Sequence, residues 1–175
     1  MPLNLTQNFK NDIAGRDTNL VPVIHIGSID DLVAGSAIRL STNIYTYSNI
    51  EQDEHYTTLP LLLNIPSLKE SIDIEKRNYK ISSINIDISN FPYEGKRFSE
   101  LVGDTSLINT EVRIYWASPS TYRAYWEDGT NPQDEDFLQI YSGQIRRYDM
   151  TDEKVRLVVE DRSQATLHKD LPLEE

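Results

Sequence analysis

The chain has 175 residues, a formal net charge of −11 and no cysteine. Its length is enough for one domain with a sizeable core, and the missing cysteines exclude disulfides and cysteine-based zinc sites. The excess of acid opposes nucleic-acid binding, which needs clustered Lys and Arg.

Three apolar residues recur every four positions near the start of the chain, namely Leu5, Phe9 and Ile13. This spacing predicts one apolar face of a short helix within residues 1–15, which Gly15 would end. Such a face needs a partner. Two partners remain open, the rest of its own chain or a neighbouring subunit.

The first predicted strand covers residues 21–26, where Pro22 favours either an edge position or the start of a strand. Residues 37–41 alternate and predict a second strand. The polar residues 45–55 predict a mobile loop, and residues 56–65 a third strand or hairpin arm.

Residues 71–93 contain the clearest alternation in the chain, which is most regular over residues 80–89. Isoleucines alternate there with polar residues, and a period of two places the isoleucines on one face of a strand. Pro92 and Gly95 should end this strand. We expect the other strands to lie beside it.

Residues 97–102 predict a helical turn that Gly103 stops, and residues 111–117 predict a strand. Residues 117–137 are rich in Pro, Gly and acidic side chains. This composition over such a length predicts a long loop excursion.

A hairpin is predicted from residues 137–148 and 154–160, with a polar turn between them and a helical turn after them, over residues 161–167. Gly143 inside the first arm suggests a bulge or a bend. The fold class expected is all-β, mainly an antiparallel barrel or sandwich, in a single domain of residues 1–175.

No catalytic constellation is recognisable in the sequence. His25, His55 and His168 lack ligand-like spacing, and the acidic run over residues 128–136 has Gly129 in the wrong place for an EF-hand. We therefore expect no enzyme, no cofactor and no metal site. The polar N-terminus and short apolar runs also predict neither a signal peptide nor a membrane span.

Three aromatic residues stand in the predicted excursion: Tyr122, Tyr125 and Trp126. Exposed aromatics on a loop can stack on sugars or anchor a protein interface. They can also fold back and cover the end of a barrel, and the sequence leaves these alternatives open.

Four phrases of the sequence together resemble a known family. They occupy residues 79–90, 141–145, 155–161 and 167–172. In order, they are a strand ending in Ser-Asn, a Tyr-x-Gly-x-Ile strand, a hairpin return ending in an acid, and a closing Leu-Pro. Across residues 60–173 this order resembles the N-terminal barrel of tail-tip (baseplate) hub proteins of long-tailed phages.

The resemblance implies a structural role in the virion tail, after synthesis in the host cytoplasm. Such hubs resemble the tail-tube fold and form a ring that joins the tube to the tip. The partners implied are tail-tube, distal-tail and tip or fibre proteins, with a trimeric ring favoured over a hexamer. Leu5, Phe9, Ile13 and the aromatic loop would then contact neighbours.

This chain is long enough for only one main barrel, which departs from the paired barrels of larger hubs. A shortened hub, a separate hub subunit and a distal-tail ring protein are therefore all compatible with it. Two further classes stay open on the residues alone. They are a carbohydrate-binding or host-surface-binding module, and a cell-wall hydrolase.

Overall fold

A computed structural model of the chain describes residues 5, 7–16, 18–27, 37–49, 54–64, 67, 70–73, 78–81, 83–118 and 137–161. The chain forms two compact units. The first comprises Met1–Leu62 and Val112–Tyr141, and the second comprises Leu63–Glu111 and Ser142–Glu175.

Within the described residues there are two short helices and ten strands. The helices are α1 (Gln7–Ala14) and α2 (Phe98–Val102). The strands are β1 (Val21–Ile26), β2 (Ile38–Ser41), β3 (Thr46–Asn49), β4 (Glu54–Thr57), β5 (Glu70–Asp73), β6 (Asn78–Ile81), β7 (Ile84–Ser89), β8 (Glu111–Ala117), β9 (Leu138–Met150) and β10 (Lys154–Asp161). The predicted all-β, mainly antiparallel fold class is therefore confirmed.

The first unit contains strands in the order β2-β1-β8-β9. Of β9, only Leu138–Tyr141 belong to this unit. β1 pairs antiparallel with β2 on one side and with β8 on the other. Pro22 therefore does not mark an edge strand. It stands near the start of β1, beyond the end of β2, because the pairing of β1 with β2 begins only at Val23.

Both faces of the β1 strand are buried, so its sequence is nearly continuous in apolar character. On one face Ile24 lies between Leu40 and Ile114, and all three are fully buried. The other face carries a cluster that includes Val21, Val23, Ala117 and Phe137, with Tyr45 and Tyr115 packed against it.

The predicted mobile loop at residues 45–55 is wrong in part, because β3 and β4 pair as antiparallel strands on either side of residues 50–53. Thr58, which is buried, holds the base of this ladder. Its hydroxyl accepts a hydrogen bond from the Tyr45 N–H (2.9 Å) and donates to the Asn43 carbonyl oxygen (3.0 Å). The polar residues of β3 and β4 are therefore held in an extended ladder, which their composition alone does not predict.

The outer edge of β2 is covered within the first unit. The Leu59 N–H donates to the Arg39 carbonyl oxygen, and the Ser41 N–H donates to the Leu59 carbonyl oxygen. In the second unit the outer edge of β7 is covered in a similar way, because the Leu63 N–H donates to the Asp87 carbonyl oxygen. Covered edges protect strands from pairing with other chains.

The second unit is built on the order β9-β10-β7, with antiparallel pairing throughout. Its inward positions alternate as the sequence predicts. They fill a core with Ile84, Ile86, Ile88, Ile145, Val155, Leu157 and Val159, against Phe98 and Val102 of α2. β7 is the outermost of these strands and β10 the central one, so the alternating stretch is not the centre of its sheet.

The single alternating strand predicted over residues 80–89 is two strands. β6 ends at Ile81 and pairs with β5, whereas β7 begins at Ile84 and pairs with β10. The serine pair between β6 and β7 breaks the alternation. At this point the chain leaves the ladder with β5 and enters the ladder with β10.

A β-bulge does interrupt β9, but not at Gly143. The register against β10 shifts between Val158 and Val159, which pair with Arg147 and Ile145 and leave Arg146 unpaired in the ladder. Arg146 and Arg147 are both exposed for this reason. Gly143 instead keeps its pairing, opposite Asp161.

The helical turn predicted before Gly103 is confirmed as α2. At its start the Arg97 N–H donates a hydrogen bond to the Glu100 carboxylate (2.9 Å), and Gly103 ends it at φ 60° and ψ −140°. The predicted excursion lies outside the described residues from 119 to 136. The closing helical turn lies outside them from residue 162, and Asp161 belongs to β10.

Candidate functional site

The predicted interface helix packs on its own unit. Phe9 is fully buried, Leu5 is half-buried and Ile13 remains exposed. The Ser118 hydroxyl also donates a hydrogen bond to the Asp12 carboxylate, which ties α1 to the end of β8. Leu5 precedes α1, which begins at Gln7. Of the three apolar residues, Ile13 offers the most exposed surface to a neighbour.

The aromatic residues Tyr122, Tyr125 and Trp126 lie outside the described residues, so their predicted role as an interface or sugar platform stays a prediction. His168 lies outside them too. The backbone of His55 belongs to β4 and His25 belongs to β1.

In the described part of the chain, no group of three or more His, Asp or Glu side chains could hold a metal ion. Over the same residues, none of the helices has the length and apolar character that crossing a membrane requires.

A row of three basic side chains crosses the sheet of the first unit. His25 of β1 pairs in register with Arg39 of β2 and with Arg113 of β8, so the three side chains share one face. All three are buried. The His25 ring also lies 4.8 Å from the Tyr115 ring, measured between centroids.

Burial, and after it the neighbouring positive charges of Arg39 and Arg113, together lower the pKa of His25 to about 3. The imidazole is therefore neutral at physiological pH. A buried base with this pKa is unsuited to general acid–base catalysis near pH 7, so we interpret the row as structural.

The second unit contains a polar junction at Asn90, a buried residue directly after β7. Its side-chain amide donates to the Thr151 carbonyl oxygen (2.7 Å), and its side-chain oxygen accepts from the Ser99 N–H of α2 (3.0 Å). Its backbone N–H donates to the Glu153 carbonyl oxygen (2.9 Å). One side chain thus joins the end of β7, the β9–β10 turn and the start of α2.

Exposed apolar residues stand beside each of the three elements that Asn90 joins. Phe91 follows Asn90 and is 60% exposed, Leu101 of α2 is 40% exposed, and Met150 precedes Thr151 and is 38% exposed. We call Phe91, Leu101 and Met150 the apolar triplet. Large exposed apolar side chains beside one hydrogen-bonded junction are candidates for an interaction surface.

A charged network lies on the outer face of β7 and β10. Arg156 donates two hydrogen bonds to the Asp87 carboxylate, at 2.8 and 3.2 Å, and Lys154 lies 3.7 Å from the same carboxylate. The hydrogen bond from Arg156 holds the pKa of Asp87 below its usual value. Asp87 and Arg156 pair in register across the strands, and Lys154 lies two positions along β10 opposite Ser89, which indicates a structural role.

Sequence reasoning gave no role to Asn90, although a signal was present. Ile84, Ile86 and Ile88 point inward, and Asn90 is the next position of the same alternation. A polar residue at an inward position needs hydrogen-bond partners inside the protein. For His25 no comparable signal exists, because both faces of its strand are buried.

No protein-family model and no curated protein matches this chain.

Proposed function

We propose that this chain is a structural component of a phage tail, a protomer of the tail-tip (baseplate) hub ring that connects the tail tube to the tip. One observation carries the proposal. Parts of three phrases that resemble hub proteins fall on adjacent strands of one antiparallel ladder, with residues 84–90 of the first phrase on or directly after β7, the second phrase on β9 and the third on β10. Residues 79–81 of the first phrase belong to β6, outside this ladder.

The details of this ladder support treating the phrases as one unit. The Tyr-x-Gly-x-Ile phrase meets the hairpin return where Ile145 pairs with Val159 and Gly143 with Asp161. The Ser-Asn phrase ends in Asn90, whose side chain holds the turn between the other two strands.

In the proposed ring, the chain assembles with copies of itself, as a trimer rather than a hexamer, and contacts tail-tube, distal-tail and tip or fibre proteins. The protein is then a virion component without catalytic activity or a cofactor. Ile13 and the aromatic loop at Tyr122, Tyr125 and Trp126 are the contacts we expect with neighbours.

The test is antibody labelling of purified virions from the source lysate, viewed by negative-stain electron microscopy. Label confined to the tail tip supports the hub assignment, with an antibody against the main tail-tube protein as the control that labels the shaft. Unlabelled virions, in a lysate whose soluble fraction holds the protein, would exclude the structural role. A sugar-binding module would then become the first alternative.

A second test addresses the contacts. Replacing Trp126 with alanine, or Ile13 with serine, should weaken ring assembly in sedimentation velocity while circular dichroism shows an unchanged fold. The control is Ile108→Ser, which removes an exposed apolar side chain of the second unit. Assembly that is equally strong in all variants would remove these residues from the interface.

A further inference from the structure

We infer that the apolar triplet is a docking surface for a protein segment that carries apolar side chains flanked by lysine or arginine. The surface lies wholly within the second unit, at the β9–β10 turn. This inference stands apart from the tail assignment, because it rests only on the contacts, exposure and charge of this part of the chain.

The geometry rests on the hydrogen bonds of Asn90 and on one ion pair. Asn90 joins Thr151 to Ser99, and Arg97 at the start of α2 lies 3.5 Å from the Asp152 carboxylate. Each member of the triplet stands within two positions of a residue in this network. The backbone of the apolar triplet is therefore fixed before a partner binds, which lowers the entropy cost of binding.

The side chains suit an interface. Phe91 is followed by the exposed Pro92 and the half-buried Tyr93, so the surface contains two aromatic rings. The turn after them is rigid, because the Tyr93 N–H donates to the Lys96 carbonyl oxygen and the Lys96 N–H donates to the Tyr93 carbonyl oxygen. Aromatic residues and methionine are enriched in protein interfaces.

The charge around the triplet selects the partner. Residues 91–104 and 149–154 carry six carboxylates against three cationic side chains. Two of the three cations are held by ion pairs, Arg97 with Asp152 and Lys154 with Asp87. The carboxylates are Glu94, Glu100, Asp104, Asp149, Asp152 and Glu153, and all are exposed.

A basic partner fits this rim better than a second copy of the chain. Two copies would bring acidic rims together, and the chain as a whole carries a charge of −11. Opposed like charges disfavour association, whereas complementary charge speeds encounter and selects the partner. We therefore assign the surface to a different protein with a basic, apolar segment.

The experiment uses the full chain and two labelled peptides, one that alternates leucine with lysine and one that alternates leucine with glutamate. Fluorescence anisotropy should show binding of the lysine peptide alone. The triple variant F91S/L101S/M150S should bind it at least about tenfold more weakly, while I108S, which removes a side chain that is 51% exposed elsewhere in the unit, should bind as the wild type does. Raised salt should weaken wild-type binding, because exposed charges are screened.

Three outcomes would overturn the inference. The first is a triple variant that binds as tightly as the wild type, because charge alone would then explain binding. The second is equal binding of the two peptides, or of neither. The third is a wild-type dimer in sedimentation velocity that the triple variant lacks, because a second copy would then be the occupant. If the triple variant loses its circular dichroism signal, F91S alone replaces it, with at least a threefold weakening expected.

Discussion

A neutral imidazole between two buried guanidinium groups is the most pH-sensitive feature at the scale of single residues. Burial and the charges of Arg39 and Arg113 all oppose a proton on His25. Arg39, Arg113 and Tyr115 are among the side chains that face it from the neighbouring strands. Neither arginine can stabilise an imidazolium, so protonation would place a third positive charge in a buried row.

We expect acid to destabilise the protein through His25. The folded-state pKa of about 3 lies below the ordinary value of 6.5, so the unfolded chain binds the additional proton between these values. The contribution of His25 is complete above about pH 6.5 and is lost as the pH falls toward 3, with about 2 kcal/mol lost between about pH 7 and 5. Urea unfolding at several pH values measures it.

The variant His25→Gln keeps a polar side chain that cannot titrate, so its free energy of unfolding should vary less over this pH interval. Asn90→Ala is the control, because it alters another buried polar residue and should keep the wild-type pH dependence. Parallel curves for the wild type and His25→Gln would refute the assignment.

Asn90 should be the most costly polar residue to replace in the second unit. Asn90→Ala removes the acceptor for the Ser99 N–H and the donor to the Thr151 carbonyl oxygen. Leaving these groups without a side-chain partner should lower the free energy of unfolding by about 2–3 kcal/mol. Urea unfolding tests this, and Asn85→Ala on the exposed face of the same strand should change it by less than about 0.5 kcal/mol.

Asn90→Asp distinguishes the two contacts, because it keeps the acceptor and loses the donor. At neutral pH its carboxylate would face the Thr151 carbonyl oxygen, another acceptor, in a buried site. We therefore expect a loss of stability at least as large as that of Asn90→Ala. A loss equal to that of Asn85→Ala would mean that Asn90 does not hold the turn.

At the scale of elements, α2 depends on how it ends. Gly103 adopts φ 60° and ψ −140°, a backbone conformation that L residues with a side chain rarely adopt. Gly103→Ala should therefore lower the free energy of unfolding by about 1–3 kcal/mol. An added Cβ atom would meet no atom within 4 Å, so the loss would come from the backbone alone.

The matched control is Asp104→Ala at the next, exposed position, which should change stability by less than about 0.5 kcal/mol. Both variants are compared with the wild type by urea unfolding and by far-ultraviolet circular dichroism. Equal stability of Gly103→Ala and Asp104→Ala would contradict the requirement for glycine.

Strands that alternate or are continuously apolar could be predicted from the sequence, and polar ones could not. The bounds of β1 and β8 match the prediction, because both strands are packed on two faces or alternate clearly. β3 and β4 were missed because a polar two-stranded ladder carries no apolar period. The sequence suggests a bulge or a bend at Gly143, because glycine is a recognisable signal for both. The observed register shift at Arg146 depends on the partner strand, which the sequence of β9 alone does not reveal.

The candidate site could be predicted less well, because it depends on contacts between distant residues. Phe91 belongs to a segment that the sequence predicts only as the end of a strand, and nothing in the sequence connects this segment with the turn after Met150. That connection needs Asn90 and Thr151 to meet across 61 positions of chain. Periodicity describes single elements, and it cannot say which turns lie together.

At the scale of the whole molecule, the two units share one strand. β9 supplies Leu138–Tyr141 to the first unit and the residues from Ser142 onward to the second. The strands of both units therefore need β9 to be ordered. We expect the chain to unfold in one cooperative transition, as the predicted single domain requires.

A tryptophan in the first unit can report on a change in the second. The chain has two tryptophans, so in a Trp126→Phe background the fluorescence comes from Trp116 of β8. Adding Asn90→Ala, a change in the second unit, should shift the Trp116 unfolding midpoint and the circular dichroism midpoint to the same lower urea concentration, with an unchanged m value. Ile108→Ser in the same background should leave both midpoints in place. If Asn90→Ala left the Trp116 midpoint unchanged while the circular dichroism curve split into two steps, the units would be independent domains, because a shared strand could not then couple them.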